Sequence, residues 1–161
     1  MNHLGIYCTN AIDKKKLIDL IHGNEAFKSF FNLNNLSGAL YSTIAIDALI
    51  EEEFKYDKSV IGLPFNTTLE SMSSGQQKQA LAKYIFQNKP DYVILDDIQS
   101  NIDVKTLSSL YALFESNATT SFFIQIFSRI EDVLPYVNEV IEVNSFFEIS
   151  EKISKKAKKK S

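Results

Sequence analysis

The chain has 161 residues, 45% of them hydrophobic, which is enough to bury the core of one domain and too few for two. Its apolar runs are too short to cross a bilayer, and its first residues lack the pattern of a signal peptide, so we expect a cytoplasmic protein. Charge is uneven: residues 152–161 carry six lysines and no acid, whereas residues 1–151 carry 11 basic and 20 acidic residues.

Short runs rich in Val, Ile, Phe and Tyr alternate with segments in which apolar residues recur every three to four positions. In chain order these patterns predict a strand at 3–8, a helix at 13–24, a strand at 39–43, a helix at 44–57, a long loop with room for one helical turn at 59–73, a helix at 75–88, a strand at 91–96, a helix at 103–116, and strands at 121–127 and 139–144. Such alternation predicts an α/β fold whose mostly parallel sheet is covered by helices on both faces.

The chain divides into a domain, residues 1–150, and a Lys-rich tail or linker start, residues 151–161. A basic run of this kind is able to hold nucleic acid or an acidic membrane surface. A solvated helix end or a linker is the commoner explanation, and nucleic acid is therefore the less favoured partner.

Two acids end the strand "DYVILDD" and would reach the edge of the sheet where open α/β sheets bind ligands. Asp96 is placed to hold Mg²⁺, and Asp97 to orient a water for attack on a γ-phosphate. A plain acidic turn after a strand is the alternative.

The segment "SSGQQ" supplies hydroxyls, a glycine and the start of a helix. Unpaired N–H groups and the positive end of the helix dipole favour an anion at such a position. Together with the two acids, and with "SNID" directly after them, this segment suggests a nucleotide site.

These motifs resemble those of the ATP-binding cassette (ABC) ATPases. "MSSGQQKQ" is similar to the family's signature motif, "YVILDD" to its Walker B strand and "SNID" to its D-loop, in the family's order. The resemblance implies a P-loop NTPase-like core with a small helical subdomain, and two such domains that sandwich ATP and Mg²⁺ between them. It also implies that Ser73, Ser74, Gly75 and Gln76 face a γ-phosphate held by a partner, and that Asp103 connects the two halves.

The family's phosphate-binding loop follows its first strand and has the pattern GxxGxGK[ST]. The stretch "CTNAIDKK" lies at that position, with Cys8 in place of the first glycine and with Asn10 and Lys14 retained as nucleotide-binding candidates. Asp13 and Lys15 replace the last glycine and the Ser/Thr, so the backbone nest and the hydroxyl that binds Mg²⁺ are both lost. A simple helix start at Asp13 is the alternative.

Other parts of the family's machinery also differ. Too few residues precede the first strand for the family's N-terminal β-subdomain, and Ser128 aligns with its switch histidine. Asp97 aligns with its catalytic glutamate, and Thr43, Ile44 or Ala45 with its Q-loop glutamine. We therefore expect a chain that is inactive or weakly active alone.

Two functional hypotheses follow. The first is a degenerate nucleotide-binding domain that completes an ATP site of a second cassette, as a homodimer, a heterodimer or one half of a tandem protein similar to the molybdate-transport and photorepair type. A membrane transporter subunit is a further partner that the resemblance implies. The alternative is a non-catalytic interaction module that retains the fold.

Overall fold

The computed structural model describes residues 1–57, 61–64 and 67–150, together with the backbone of residues 153 and 154. The strands in this part of the chain are β1 (His3–Tyr7), β2 (Gly38–Tyr41), β3 (Tyr92–Asp96), β4 (Phe122–Phe127), β5 (Val137–Glu142) and β6 (Ile153–Ser154). The helices are α1 (Lys14–Gly23), α2 (Glu25–Phe30), α3 (Thr43–Tyr56), α4 (Ser74–Gln87), α5 (Val104–Asn117) and a short 3₁₀ helix at Ile130–Asp132.

The strands form one sheet in the order β2-β3-β4-β1-β5-β6. Strands β1 to β5 pair in parallel, and β6 pairs with β5 in the antiparallel direction. The predicted α/β class with a mostly parallel sheet is confirmed, as are the five predicted strands and four predicted helices. Strand β6 was not predicted and lies in the segment that the sequence assigned to the tail.

Alternate residues of the strands enter two separate cores, because neighbouring side chains of a strand point to opposite faces. On one face, α1 packs Leu17, Ile18 and Ile21 against strand residues that include Ile94 and Ile124. On the other face, α4 and α5 pack against the intervening strand positions; that cluster contains Leu81, Ala82, Ile85, Leu110, Phe114, Val93, Leu95 and Phe123. The sheet is therefore covered on both faces, as the patterning predicted.

Helix α2 was not predicted. Its six residues are too few for an apolar period to be recognised, yet Asn24 caps it by accepting from the amides of Ala26 and Phe27. Phe27 packs against the core and Phe31, which follows the helix, is buried within it. Phe27 and Phe31 therefore serve packing, whereas Phe30 is exposed.

Helix α3 and the described parts of the connection to α4 stand where a small helical subdomain was expected, and Ile46 of α3 is buried in the core that α4 and α5 share. In residues 61–64 and 67–73 this connection contains turns and no helix, which confirms the loop in these ranges without the helical turn. Glu53, which is buried, accepts from the amide of Leu69 at 2.7 Å and so ties α3 to the connection. No helix of the described residues combines the length and hydrophobicity that a membrane span requires.

Candidate functional site

The parallel strands bring the predicted site residues to one edge of the sheet, where their carboxyl ends meet. The loop of residues 8–13 follows β1, Asp96 ends β3 and Asp97 follows it. Within this loop Cys8 and Ile12 are buried, whereas Asn10 and Asp13 are exposed. Asp13 caps α1 by accepting from the amide of Lys16 at 3.1 Å, so its carboxylate serves the start of the helix.

Lys14, the first residue of α1, reaches the end of β3. Its Nζ lies 3.1 Å from Oδ1 of Asp96, and the side chains of Lys14 and Asp96 are 34% and 5% exposed. Oδ1 accepts no hydrogen bond of standard geometry in the described part of the chain, so this contact is a charge pairing and compensates the carboxylate. Burial raises the pKa of Asp96, and the nearby Lys14 ammonium opposes that increase.

Asp97 is the second predicted catalytic acid. Its backbone has a left-handed conformation with φ of 54°, which Asp tolerates better than most residues. Its carboxylate accepts a short hydrogen bond from the hydroxyl of Ser100, so the turn from 97 to 100 closes on itself. Asp96 and Asp97 are therefore neighbours with different partners.

A buried lysine fixes this turn to helix α4. Lys78 is 2% exposed, and its Nζ donates to the carbonyl oxygens of Asp97 at 2.8 Å and Ser100 at 2.9 Å. Burial lowers the pKa of Lys78, while the carboxylates of Asp97 and Asp96 raise it. Two carbonyls and two nearby carboxylates thus compensate a cation that has almost no access to water.

The segment Ser73–Gln76 forms the first turn of α4 and lies at the surface. Ser73 and Gln76 make a reciprocal capping box: the Gln76 amide donates to Oγ of Ser73, and the Ser73 amide donates to Oε1 of Gln76. The amides of Ser74 and Gly75 also belong to the first turn, where a helix provides no acceptor. Ser73, Ser74 and Gln76 are exposed and Gly75 is half-buried.

The starts of α4 and α5 lie side by side. A Cβ atom at Gly75 would lie 3.3 Å from Cγ2 of Thr106, closer than ordinary van der Waals contact, so the glycine permits this approach. Asp103 is the N-cap residue of α5, is exposed, and makes no capping hydrogen bond with its side chain. The predicted signature residues Ser73–Gln76 and the D-loop residue Asp103 therefore share one surface. Asp96, Asp97 and Lys14 form a second group, and Lys78 of α4 connects the two groups through the carbonyl of Asp97.

Solved structures with similar folds cover nearly the whole chain. An inward-facing metal-chelate type ABC transporter matches 97% of this chain and 73% of its own, with a TM-score of 0.61 and 12% identity. CbiO1 from Clostridium perfringens, part of the ABC transporter complex CbiONQ, matches 99% of this chain and 80% of its own, with a TM-score of 0.59 and 15% identity. An ATP-binding cassette of an ABC transporter matches 96% of this chain and 81% of its own, with a TM-score of 0.61 and 13% identity.

The chain has the ABC ATPase domain fold. No protein-family model matches its sequence, and no curated protein does. At these identities the similarity concerns the fold alone, and the roles of individual residues depend on their own geometry.

Lys78, Ser100 and Tyr41 were not predicted from the sequence as individual site residues. Tyr41 ends β2 with a buried hydroxyl that has no partner among the described residues, and burial together with the charge of Asp97 raises its pKa. Lys78 was recognisable, because it lies on the same face of α4 as Leu81 and Ala82. The described residues contain no group of three or more His, Cys, Asp or Glu that would hold a metal ion.

Proposed function

We propose that this chain is a degenerate ABC-type nucleotide-binding domain that completes an ATP site of a partner cassette in the cytoplasm. The observation that carries the proposal is a contrast between two segments of the same domain. The first turn of α4 is exposed and capped, and the amides of Ser74 and Gly75 have no acceptor within the helix. The loop after β1, in contrast, lacks glycine, and Lys14, which follows it, is paired with Asp96.

The surface formed by the starts of α4 and α5 has the chemistry that a γ-phosphate requires. The amides of Ser74 and Gly75 and the positive end of the α4 dipole favour an anion. Oγ of Ser73 accepts from the Gln76 amide, so its hydroxyl hydrogen can still be donated to a phosphate oxygen. Asp103 beside this turn would contact the partner rather than the phosphate, because two anions repel.

The chain's own loop does not fit the phosphates of a nucleotide. Residues 8–13 contain no glycine that would let backbone amides close around phosphate, and the carboxylate of Asp13 would repel it. Bound Mg²⁺ at Asp96 would have to displace Lys14, and Asp97 would have to leave Ser100 to orient a water. The catalytic roles of Asp96 and Asp97, and nucleotide contacts of Asn10 and Lys14, stay predictions for this reason.

The partner in this proposal is a cassette with an intact phosphate loop, which would hold ATP and Mg²⁺. A second copy of this chain would bring the same altered loop, so the proposal favours a heterodimer or a tandem protein like the molybdate-transport and photorepair type. CbiO1 is part of a transporter complex, and by analogy a membrane transporter subunit is a further partner of the proposed pair.

The alternative is an interaction module in which the same face binds protein and no nucleotide takes part. Nucleic-acid binding by residues 152–161 is a third idea; this segment lies almost wholly outside the described residues. The exposed amides of the α4 turn favour the first function over both.

Calorimetric titration of Mg-ATP into the purified chain tests the claim that the chain has lost its own nucleotide site. We expect no heat beyond dilution at millimolar nucleotide, because the loop after β1 offers no backbone nest and its lysine is engaged. A matched titration into an ABC cassette with an intact phosphate loop serves as the positive control. Tight binding with rapid hydrolysis by this chain alone would refute the proposed loss of its own site.

A further inference from the structure

We propose that the ammonium group of Lys14 is the permanent counter-ion of Asp96 and takes the place of a divalent metal at the carboxyl edge of β3. The inference concerns the chain's own edge of the sheet and does not depend on the proposed partner. It assigns Lys14 to an internal ion pair and not to a phosphate.

Asp96 needs a cation because its carboxylate is almost completely buried. The residue is 4% exposed, and an isolated buried carboxylate is costly unless it is paired. Two ammonium groups lie near it. Lys78 directs its Nζ to the carbonyls of Asp97 and Ser100, so Lys14, at 3.1 Å from Oδ1, is the direct partner.

The start of α1 holds Lys14 in reach of Asp96. Asp13 caps the helix through the amide of Lys16, which fixes the position of its first residue. Strand β4 lies between β1 and β3 in the sheet, so the long side chain of Lys14 spans the end of β4 to reach the carboxylate. About a third of the Lys14 side chain is exposed, so it retains some access to water.

A divalent ion would compete poorly for this carboxylate. Mg²⁺ requires about six oxygen ligands at short distances and retains several waters. At Asp96 the nearest position is occupied by an ammonium group, and the neighbouring carboxylate of Asp97 is engaged by Ser100. Because the loop after β1 has no glycine-containing nest that would hold a phosphate, no bound anion would draw Lys14 away from Asp96. The ion pair is therefore the stable state of this edge.

The two partners should respond differently to substitution because their access to water differs. In Lys14→Met, Asp96 keeps a buried charge with its direct partner removed. In Asp96→Asn, the Lys14 ammonium can turn toward solvent. We therefore expect the first variant to be the more destabilised, and the double variant, which removes both charges, to recover most of the loss.

Thermal unfolding of the full chain tests the assignment. Lys14→Met should lower the melting temperature by roughly 6–10 °C, Asp96→Asn by less, and the double variant by less than Lys14→Met. Lys15→Met, at an exposed neighbouring position, is the matched control and should melt as the unaltered chain does. If Lys14→Met fails to fold, restored folding of the double variant supports the pair and continued failure overturns it.

Metal ions provide the second measurement. Millimolar Mn²⁺ should leave the melting temperature of the unaltered chain unchanged, because Lys14 holds the position that the ion would take. A rise in melting temperature with Mn²⁺ that Asp96→Asn abolishes would overturn the proposal, as would a Lys14→Met variant as stable as the unaltered chain. Neither result would bear on the α4 surface, so failure here is distinguishable from failure of the proposed function.

Discussion

Replacing Lys78 with methionine is expected to lower the free energy of unfolding by about 3 kcal/mol. The variant keeps the apolar stem but leaves the carbonyls of Asp97 and Ser100 without their buried donor. It also removes the cation that lies near the carboxylates of Asp96 and Asp97. Urea unfolding followed by circular dichroism measures the loss, and amide exchange should speed up in residues 97–103.

Lys83→Met is the matched control, because Lys83 belongs to the same helix and is exposed. It should change stability by less than about 0.5 kcal/mol. A Lys78→Met variant as stable as this control would mean that the ammonium does not join α4 to the turn after β3.

Replacing Ser74 with arginine is expected to reduce the ATPase activity of a reconstituted pair at least ~100-fold. Losing one hydrogen-bond donor that stabilises the charge developing in a transition state has an effect of this size. Ser74 lies in the exposed first turn of α4, where a long side chain would cover the amides of the turn. Because Ser74 is exposed, the fold itself should persist. The assay compares phosphate release by a competent cassette paired with either form of this chain.

Ser116→Arg controls for added bulk and charge, because Ser116 is exposed near the end of α5, away from the helix starts. It should leave the activity of the pair unchanged. Equal activity of pairs that contain Ser74→Arg and the unaltered chain would favour the interaction module, in which the α4 turn contacts no nucleotide.

Much of the fold could be predicted because each strand and long helix shows its buried face in the sequence. The start of α4 was also readable, since Ser73 and Gln76 have the spacing of a capping box. Helix α2 and strand β6 are too short to show a period. A turn or coil is the ordinary expectation for such segments.

The candidate site was only half predictable. The sequence identified Asp96, Asp97 and Ser73–Gln76 by local motifs, whereas the pairing of Lys14 with Asp96 depends on the order of strands in the sheet, which local patterns do not determine. Lys78 carried a local signal, a charge on the buried stripe of α4. Only its tertiary contacts reveal that the charge is compensated by the turn after β3.

Counting the nucleotides bound by a purified pair is the most direct test of the central claim, that this chain serves a partner's ATP through α4 while its own loop stays empty. With hydrolysis blocked in the partner cassette, equilibrium dialysis should give one ATP per pair, and the Ser74→Arg form of this chain should weaken that binding. Two equivalent ATP molecules bound per pair would contradict the account. So would one ATP bound with the same affinity by pairs that contain the Ser74→Arg variant and the unaltered chain.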